Sequence, residues 1–172
     1  MHPVRPLTPR DIPRMVQINE QGLPGTGKVT QDEMVDLLSL SELAIGIDIQ
    51  DDLAGFVLCL LPKTRYGSLN YKWFNERYDE FLYVDRIAVA DDARDNGIGS
   101  TLYDQVIAHA EHLACPVTAE VSLRPPNPGS MRFHARHGFE KLGTFEQAKK
   151  AVTMLIRRGQ WEKNDTRRQS IE

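Results

Sequence analysis

The most constraining feature of the sequence is one segment in which an apolar strand pattern passes through a glycine-containing turn into a long helical pattern. The strand pattern covers residues 81–89 and carries two charged residues, Asp85 and Arg86. The longest helical periodicity of the chain then starts at Gly97 and ends near Leu113. Short apolar segments alternate with helical patterns along most of the remaining chain, so the sequence predicts a mixed α/β domain.

The predicted elements on either side complete one domain. Before the central segment we expect a strand at 4–7, a helix from Thr8 to about residue 21, a second helix opened by the capping box of Thr30 and Glu33, and a hairpin of strands at 43–49 and 53–61. After it we expect a strand at 117–123, a short helix capped by Ser130, and a closing strand pair at 139–145 and 151–157. No internal repeat occurs, so we assign residues 1–158 to one domain and 159–172 to a polar tail.

Composition excludes several classes of protein. The chain has 172 residues, of which 41% are hydrophobic and 26% charged, as is typical of one globular domain. Its formal net charge of −3 lacks the basic surplus of a nucleic-acid-binding protein, and no apolar run approaches the length of a membrane span. Cys59 and Cys115 are too few for a disulfide framework or a cysteine-rich zinc site. We therefore expect a soluble, cytoplasmic protein without nucleic-acid, membrane or metal partners.

The turn before the long helix has the features of an anion-binding site. The first amides of a helix have no intrahelical partner, and the helix dipole places partial positive charge there. Gly97 and Gly99 allow the backbone to approach a phosphate closely, and Arg94 adds a charge. A dinucleotide fingerprint is excluded because position 102 is Leu rather than Gly, and the Gly-Lys-Ser/Thr tripeptide of a P-loop does not occur. These residues alone fit either another kind of phosphate-binding loop or a tight strand-to-helix turn.

Two motifs follow one another on the predicted elements. The first is Arg94-x-x-Gly97-x-Gly99, after a strand that ends in Ile87-Ala88-Val89. The second runs from Asn127 through Ser130, Phe133 and His134 to Gly138-Phe139. Together they resemble the motifs of the GCN5-related N-acetyltransferases, and the resemblance covers essentially the whole chain. It implies a single α/β (α+β) domain whose mostly antiparallel sheet is flanked by helices and is parallel only at a splayed strand pair that holds the cofactor.

The resemblance also implies a site for acetyl-CoA, used as a co-substrate without a metal. The pyrophosphate of coenzyme A would bind the loop, and the pantetheine arm would follow the end of the strand, where a backbone N–H near Val89 would stabilise the developing oxyanion. The cofactor-binding residues implied in this way are Ile87, Ala88, Val89, Arg94, Asp95, Asn96, Gly97, Ile98, Gly99, Ser100, Asn127 and Ser130.

Direct transfer to an amine needs an acid that protonates the leaving thiolate. The family usually places a tyrosine four residues before the glycine of the Gly-Phe motif, and this chain has His134 at that position. A histidine there either donates the proton at neutral pH or packs as a helix residue against its neighbours.

In the family, acidic or histidine bases occur on this strand at the positions of Tyr83 and Asp85, so the resemblance makes Asp85 the leading candidate for the base that deprotonates the amine. Strand alternation places Tyr83, Asp85 and Ile87 on one face and Arg86 on the other. Burial would have to raise the pKa of an aspartate for this task, and a structural ion pair with a nearby arginine is the alternative. Glu120 on the next strand is a weaker candidate, for which a charged residue at a sheet edge is the simpler interpretation.

The stretch at 62–80 is rich in aromatic residues and falls where the family's acceptor site is usually walled. We expect acceptor contacts, by apolar packing or cation–π contact, from Tyr71, Trp73, Phe74, Tyr78 and Tyr83. Two alternatives stay open. In one, the stretch is an irregular loop whose rings pack over the sheet. In the other, the basic residues of the stretch hold an acidic substrate, and these are Lys63, Arg65, Lys72 and Arg77.

The resemblance implies an acyl-CoA-dependent N-acetyltransferase that acts on the primary amine of a small molecule, an amino acid or a peptide N-terminus by direct attack. Two alternatives are a coenzyme A-binding module without turnover and a transferase of a longer acyl group. A homodimer is compatible with the resemblance, because members of the family often pair through sheet edges or C-terminal strands.

Overall fold

The computed structural model describes residues 2–159, which form one sheet flanked by helices. Within these residues the strands are β1 (Val4–Pro6), β2 (Leu43–Ile49), β3 (Asp52–Leu60), β4 (Leu82–Val89), β5 (Val117–Arg124), β6 (Glu140–Gln147) and β7 (Lys150–Arg157). The helices are α1 (Ile12–Gln21), α2 (Gln31–Leu40), α3 (Leu69–Asn75), α4 (Ile98–Leu113) and α5 (Pro128–Arg136). None of these helices is long and apolar enough to cross a bilayer. The predicted mixed α/β architecture is confirmed, and the predicted tail beyond Gly159 lies outside the described residues.

The sheet opens in its middle. Its strand order is β1-β2-β3-β4-β5-β7-β6, and every neighbouring pair is antiparallel except β4–β5. The parallel pair is joined only at Leu82–Val117 and Tyr83–Thr118. Beyond these two pairs both strands continue without pairing to each other, so they separate and leave a gap. The predicted splayed pair is therefore confirmed.

The start of α4 lies beside the end of β4, where Ile98 packs closely against Gly55. A Cβ on Gly55 of β3 would lie 2.7 Å from Cγ2 of Ile98, so a glycine is needed for α4 to begin this near to the sheet. Gly55 pairs across the sheet with Val89, the last residue of β4. The amides at the N-terminus of α4 are therefore fixed where the gap between β4 and β5 is open.

Two local predictions are wrong. The N-cap of α5 is Asn127, whose Oδ1 accepts a hydrogen bond from the amide of Ser130 at 3.2 Å, so Ser130 is not the cap. The aromatic stretch is not irregular throughout, because Ser68 caps the short helix α3. The capping box of α2 is as predicted, with Thr30 and Glu33 bonded to each other's backbone amides.

Candidate active site

A cleft of about 800 Å³ opens where β4 and β5 separate, within the volume range of ligand pockets. Its walls come from the end of β4, the loop before α4, α5 with the segment that precedes it, and the loop between α1 and α2. The predicted cofactor-binding residues that line it are Ile87, Val89, Arg94, Asp95, Gly97, Ile98, Gly99, Ser100, Asn127 and Ser130. Two predicted residues do not line it. Ala88 is buried, and Asn96 donates its side-chain N–H groups to the carbonyl oxygens of Ala93 and Arg94.

One end of the cleft has the geometry of an anion site. Gly97 precedes α4 with φ of +73°, a left-handed conformation that glycine adopts without strain. Gly99 in the first turn faces the ring of Phe133, which a Cβ would approach to 3.2 Å. The amides of this first turn have no intrahelical acceptor, so the helix start favours a phosphate. Arg94 lies in the same loop, 2.8 Å from the carboxylate of Asp91.

A second cavity of about 310 Å³ adjoins the cleft. The two share six lining residues, which are Pro24, Gly25, Ile87, Ser122, Ser130 and His134. We refer to this shared boundary as the junction. A molecule held in the cleft and a molecule held in the second cavity would meet there.

A β-bulge breaks the strand alternation predicted for β4. Leu58 of β3 pairs with Arg86, whereas the next residue, Cys59, pairs with Val84, so Asp85 is the extra residue of the bulge. Asp85 and Arg86 both line the second cavity as a result. The prediction that Arg86 faces away from Asp85 is therefore wrong.

The bulge holds a buried ion pair. Oδ2 of Asp85 lies 2.7 Å from Nε of Arg86, and the side chains are 4% and 8% exposed, respectively. Nη1 of Arg86 also donates to Oδ1 of Asn19 and to the carbonyl oxygen of Gly27, at 3.0 and 3.1 Å. The network ties β4 to the loop between α1 and α2, which walls both cavities. This is the structural ion pair that the sequence left open as the alternative to a catalytic Asp85.

Arg86→Met should lower the stability of the protein strongly, because it leaves the Asp85 carboxylate buried without its cation. Breaking a buried pair from one side costs about 3–5 kcal/mol, or roughly 6–20 °C in Tm for a domain of this size. The double variant Asp85→Asn/Arg86→Met removes both charges and should recover much of the loss. Thermal denaturation followed by circular dichroism measures both effects, and an Arg86→Met protein as stable as the wild type would contradict this role.

Glu120 of β5 is held on the wall of the second cavity by two donors. The hydroxyl of Tyr83 lies 2.8 Å from both carboxylate oxygens, and Nδ2 of Asn70 donates to Oε1 at 3.2 Å. Nε2 of Gln147 donates in turn to Oδ1 of Asn70 at 3.1 Å. β5 lies between β4 and β7, but beyond Thr118 its side toward β4 is unpaired, so Glu120 borders the gap inside the sheet and not an outer edge of the sheet.

The surroundings of Glu120 make its carboxyl group unusually basic. Burial raises its pKa to about 8 and the negative charge of Asp85 adds to the rise, while the hydrogen bonds from Tyr83 and Asn70 act in the opposite direction. A carboxyl group with this pKa gains and loses its proton in the same pH range as an α-amino group. Glu120 is therefore better suited than Asp85 to accept a proton from an amine.

His134 of α5 lies at the junction and is 4% exposed. Its Nδ1 is 2.8 Å from the carbonyl oxygen of Ser130, which can only accept, so Nδ1 carries the proton of the neutral ring. Nε2 then accepts a hydrogen bond from the hydroxyl of Tyr103 in α4 at 2.6 Å. Burial lowers the pKa of His134 and raises the pKa of Tyr103. At neutral pH a neutral imidazole thus faces a protonated phenol, and the phenol also lines the second cavity.

The aromatic residues expected to contact the acceptor lie elsewhere. Tyr71, Phe74 and Tyr83 are at most 1% exposed, and they line neither cavity. Trp73 lines neither cavity and lies under the guanidinium of Arg77, whose Cζ is 3.8 Å from the ring centroid. These rings pack over the sheet, as the alternative interpretation had it, and Tyr83 reaches the cavity only through its hydrogen bonds to Glu120.

The basic residues of the same stretch are also placed away from the two cavities. Arg65 pairs with Asp36 and Lys72 with Glu76, and Lys63 lines neither cavity. The residues of this stretch that do line the second cavity are Tyr66, Ser68 and Asn70.

Several lining residues have no counterpart among the sequence predictions. Tyr103 lies on the buried face of α4, where an aromatic residue is ordinarily part of the core. Lys28 follows a loop rich in glycine and proline, and Lys150 starts β7. Glu120, by contrast, was marked in the sequence as the one carboxylate of its strand.

Comparison with known sequences finds one family model that matches the chain. Among residues 2–159 no group of three or more His, Cys, Asp or Glu side chains is arranged to hold a metal ion. Residues 17–139 match the sequence model of the acetyltransferase (GNAT) family. No curated protein gives a significant sequence match to the chain.

Solved structures share the fold at low sequence identity. The ribosomal-protein-S18-alanine N-acetyltransferase from Escherichia coli has a TM-score of 0.70 and 14% identity, covering 91% of this chain and 93% of its own. Ard1 from Thermoplasma volcanium has a TM-score of 0.71 and 20% identity, covering 91% and 98%. Arabidopsis thaliana Naa50, in complex with the bisubstrate analogue CoA-Ac-MVNAL, has a TM-score of 0.71 and 16% identity, covering 91% and 98%.

Proposed function

The chain belongs to the acetyltransferase (GNAT) family, and on this premise we propose that it transfers an acetyl group from acetyl-CoA to a primary amine by direct attack. One observation carries the proposal. The cleft and the second cavity meet at a junction where the Tyr103 hydroxyl bonds to His134, and Glu120 lies on the wall of the second cavity. Direct transfer needs one group that accepts a proton from the amine and another that donates one to the leaving thiolate.

Coenzyme A suits the donors that line the cleft. The first-turn amides of α4, near Arg94, suit its diphosphate. Beyond Tyr83 the edge of β4 that faces β5 is unpaired, so its backbone groups are available to an extended arm that contains amides. The coenzyme A-based analogue in Naa50, a protein of the same fold, supports this assignment. Bound here, acetyl-CoA supplies a reactive acetyl thioester.

Glu120 acts as the base in this proposal. An amine enters the second cavity as an ammonium ion and must lose a proton before its nitrogen is nucleophilic. The raised pKa of Glu120 matches that task, and Tyr83 and Asn70 fix the direction of the carboxylate. Asp85 is paired with Arg86, and this ion pair helps to hold the loop between α1 and α2 that walls the site.

Tyr103 acts as the acid, and His134 positions it. The hydroxyl of Tyr103 is protonated at neutral pH and lies beside His134 at the junction, where the sulfur of the thioester would lie. As the bond between carbon and sulfur breaks, the hydroxyl of Tyr103 turns from Nε2 of His134 to the departing sulfur and gives it the proton. The attacking nitrogen loses its second proton as the amide forms, and this proton restores Tyr103 through solvent. Glu120 passes the proton that it accepted to solvent, so each cycle releases one proton.

A thermal-shift titration with acetyl-CoA, coenzyme A and NAD tests the cofactor assignment. A ligand that binds only the folded protein stabilises it by about 2.7 kcal/mol at a hundredfold excess over Kd. We expect a shift with both coenzyme A species and none with NAD. The absence of a shift with either coenzyme A species would contradict the proposal, and binding without any turnover would favour a coenzyme A-binding module.

Gly97→Val should weaken the binding of acetyl-CoA at least tenfold, because a β-branched residue is strained at φ of +73° and would rearrange the start of α4. Gly143→Ala is the matched control, since a Cβ there meets no atom within 4 Å and position 143 lies outside the cleft. The Tm of each variant without ligand checks that it folds. Unchanged affinity in a folded Gly97→Val protein would exclude the loop from the cofactor site.

A further inference from the structure

The second cavity has an excess of positive charge at neutral pH. Apart from two tyrosines, its titratable and charged lining residues are Lys28, Asp85, Arg86, Glu120, His134 and Lys150. Asp85 and Arg86 neutralise each other across 2.7 Å. Glu120 is mostly protonated because its pKa is about 8, and His134 is neutral because burial lowers its pKa. The two lysines therefore give the cavity its excess positive charge, and ionisation of Glu120 to act as the base reduces this excess by one charge without removing it.

Lys28 and Lys150 reach the cavity from separate segments of the chain. Lys28 belongs to the loop between α1 and α2, and Lys150 is the first residue of β7. Both are exposed, so they lie on the solvent side of the cavity. Neither ammonium group forms an ion pair or a hydrogen bond with another side chain of residues 2–159.

This charge distribution is unfavourable for a simple cationic amine. A substrate that arrives as an ammonium ion meets two positive charges before it reaches Glu120, and like charges repel. An acceptor that also carries a negative charge would reverse the sign of this interaction. The two lysines would then attract the acceptor and direct its amino group inward.

We propose that the acceptor is a small primary amine that also carries an anionic group, a carboxylate or a phosphate, and that Lys28 and Lys150 bind this group on the solvent side of the second cavity. The inference rests on the proposed acetyltransferase function and narrows its acceptor. The cavity volume of about 310 Å³ is at the lower end of the range for ligand pockets, which fits a compact molecule such as an amino acid.

Pairs of amines that differ only in the anionic group test the inference. Thiol release at a fixed concentration of acetyl-CoA is compared between β-alanine and its amide, and between phosphoethanolamine and ethanolamine. A peptide with an amidated C-terminus is assayed alongside them. We expect the anionic member of at least one pair to have a kcat/KM at least tenfold higher than its partner, and the two pairs distinguish carboxylate from phosphate. Equal or better turnover of the uncharged members or of the peptide would overturn the inference.

The double variant Lys28→Gln/Lys150→Gln tests the residues. The ratio of kcat/KM between an anionic amine and its uncharged partner should fall by about 2- to 30-fold, the range expected for two exposed ion pairs. Lys28→Glu/Lys150→Glu should reverse the preference. Lys141→Gln, on an exposed position of β6 outside both cavities, is the control and should keep the wild-type ratio.

The outcomes separate failure of the inference from failure of the proposed function. Acetylation of uncharged amines with an unchanged ratio in both double variants would leave the acetyltransferase function standing and refute the role of the lysines. If no amine of either kind releases thiol while acetyl-CoA still raises Tm, the proposed function is wrong, and the inference is refuted with it.

Discussion

Glu120→Gln should reduce kcat by about 10²–10⁴-fold, the usual contribution of a positioned general base. Glutamine has nearly the same size as glutamate and can still accept a hydrogen bond from Tyr83, but it cannot take a proton from the amine. The affinity for acetyl-CoA should change little, because Glu120 lines the second cavity and not the cleft. Steady-state thiol release and a thermal-shift titration measure the two quantities. Glu140→Gln, on an exposed position of β6, is the matched control.

The pH dependence of kcat/KM identifies the base independently of how far kcat falls in Glu120→Gln. Below pH 8, the ionised fraction of a carboxyl group with a pKa of about 8 falls about tenfold per pH unit, so kcat/KM should fall in the same proportion. Tyr83→Phe removes a hydrogen bond that lowers this pKa and should move the limb to higher pH. Asp85→Asn removes a negative charge that raises it and should move the limb to lower pH. A limb lost in Asp85→Asn but kept in Glu120→Gln would assign the base to Asp85 instead.

Tyr103→Phe should lower kcat on the order of 10²-fold, the lower end of the range for general acids, because a thiolate leaves readily even without a proton. The ring still fills its buried position against Phe133 and Phe139, so the fold is retained. The hydroxyl is lost from the junction, and Nε2 of His134 is left without its donor. Steady-state thiol release at saturating acetyl-CoA measures the effect.

The partner variant His134→Phe separates the two candidates for the acid. If Tyr103 gives the proton and His134 only positions it, His134→Phe should cost less in kcat than Tyr103→Phe. A loss in His134→Phe that exceeds the loss in Tyr103→Phe would return the acid role to the histidine, as the sequence alone suggested. Neither variant should change the affinity for acetyl-CoA by more than about threefold, a difference well under the tenfold step that corresponds to 1.4 kcal/mol.

The architecture was accessible from the sequence because local patterns and the fold agree. The capping box at Thr30, the two apolar runs of the hairpin and the glycine-containing start of α4 each predict the observed element. Position 97 has a left-handed backbone and position 99 faces the ring of Phe133, so both glycines are needed by the turn that places the start of α4 at the cleft. The cleft was therefore largely predictable.

The side chains that we propose for catalysis were less accessible from the sequence, because the proposed roles depend on contacts between distant parts of the chain. A single bulge residue, Asp85, shifts the register of β4 and turns Arg86 toward the second cavity, and alternation alone cannot reveal it. The basicity of Glu120 depends on β5 lying inside the sheet, which is a property of strand order. Tyr103 meets His134 across 31 positions of sequence and looks like an ordinary core residue of its helix.

In the aromatic stretch, the sequence predicted contacts to the acceptor for rings that the structure places in the core. Its rings have the composition of a binding wall, yet Tyr71 and Phe74 are buried in the core, and the hydroxyl of Tyr71 donates to the carbonyl oxygen of Leu61. Composition does not distinguish an aromatic residue that contacts a ligand from one that supports the wall behind it. Only Tyr66 of these rings lines the second cavity.

Amine-dependent release of thiol from acetyl-CoA, with the acetylated amine identified by mass spectrometry, tests the central claim most directly. A panel of primary amines is incubated with the wild-type protein and with Glu120→Gln at pH 8.5, where most of the Glu120 carboxyl is ionised. We predict one equivalent of acetylated amine for each thiol released by the wild-type protein, and a rate at least 10²-fold lower for the variant. Thiol release that is independent of the amine, or that proceeds equally fast in both proteins, would contradict direct transfer at this site.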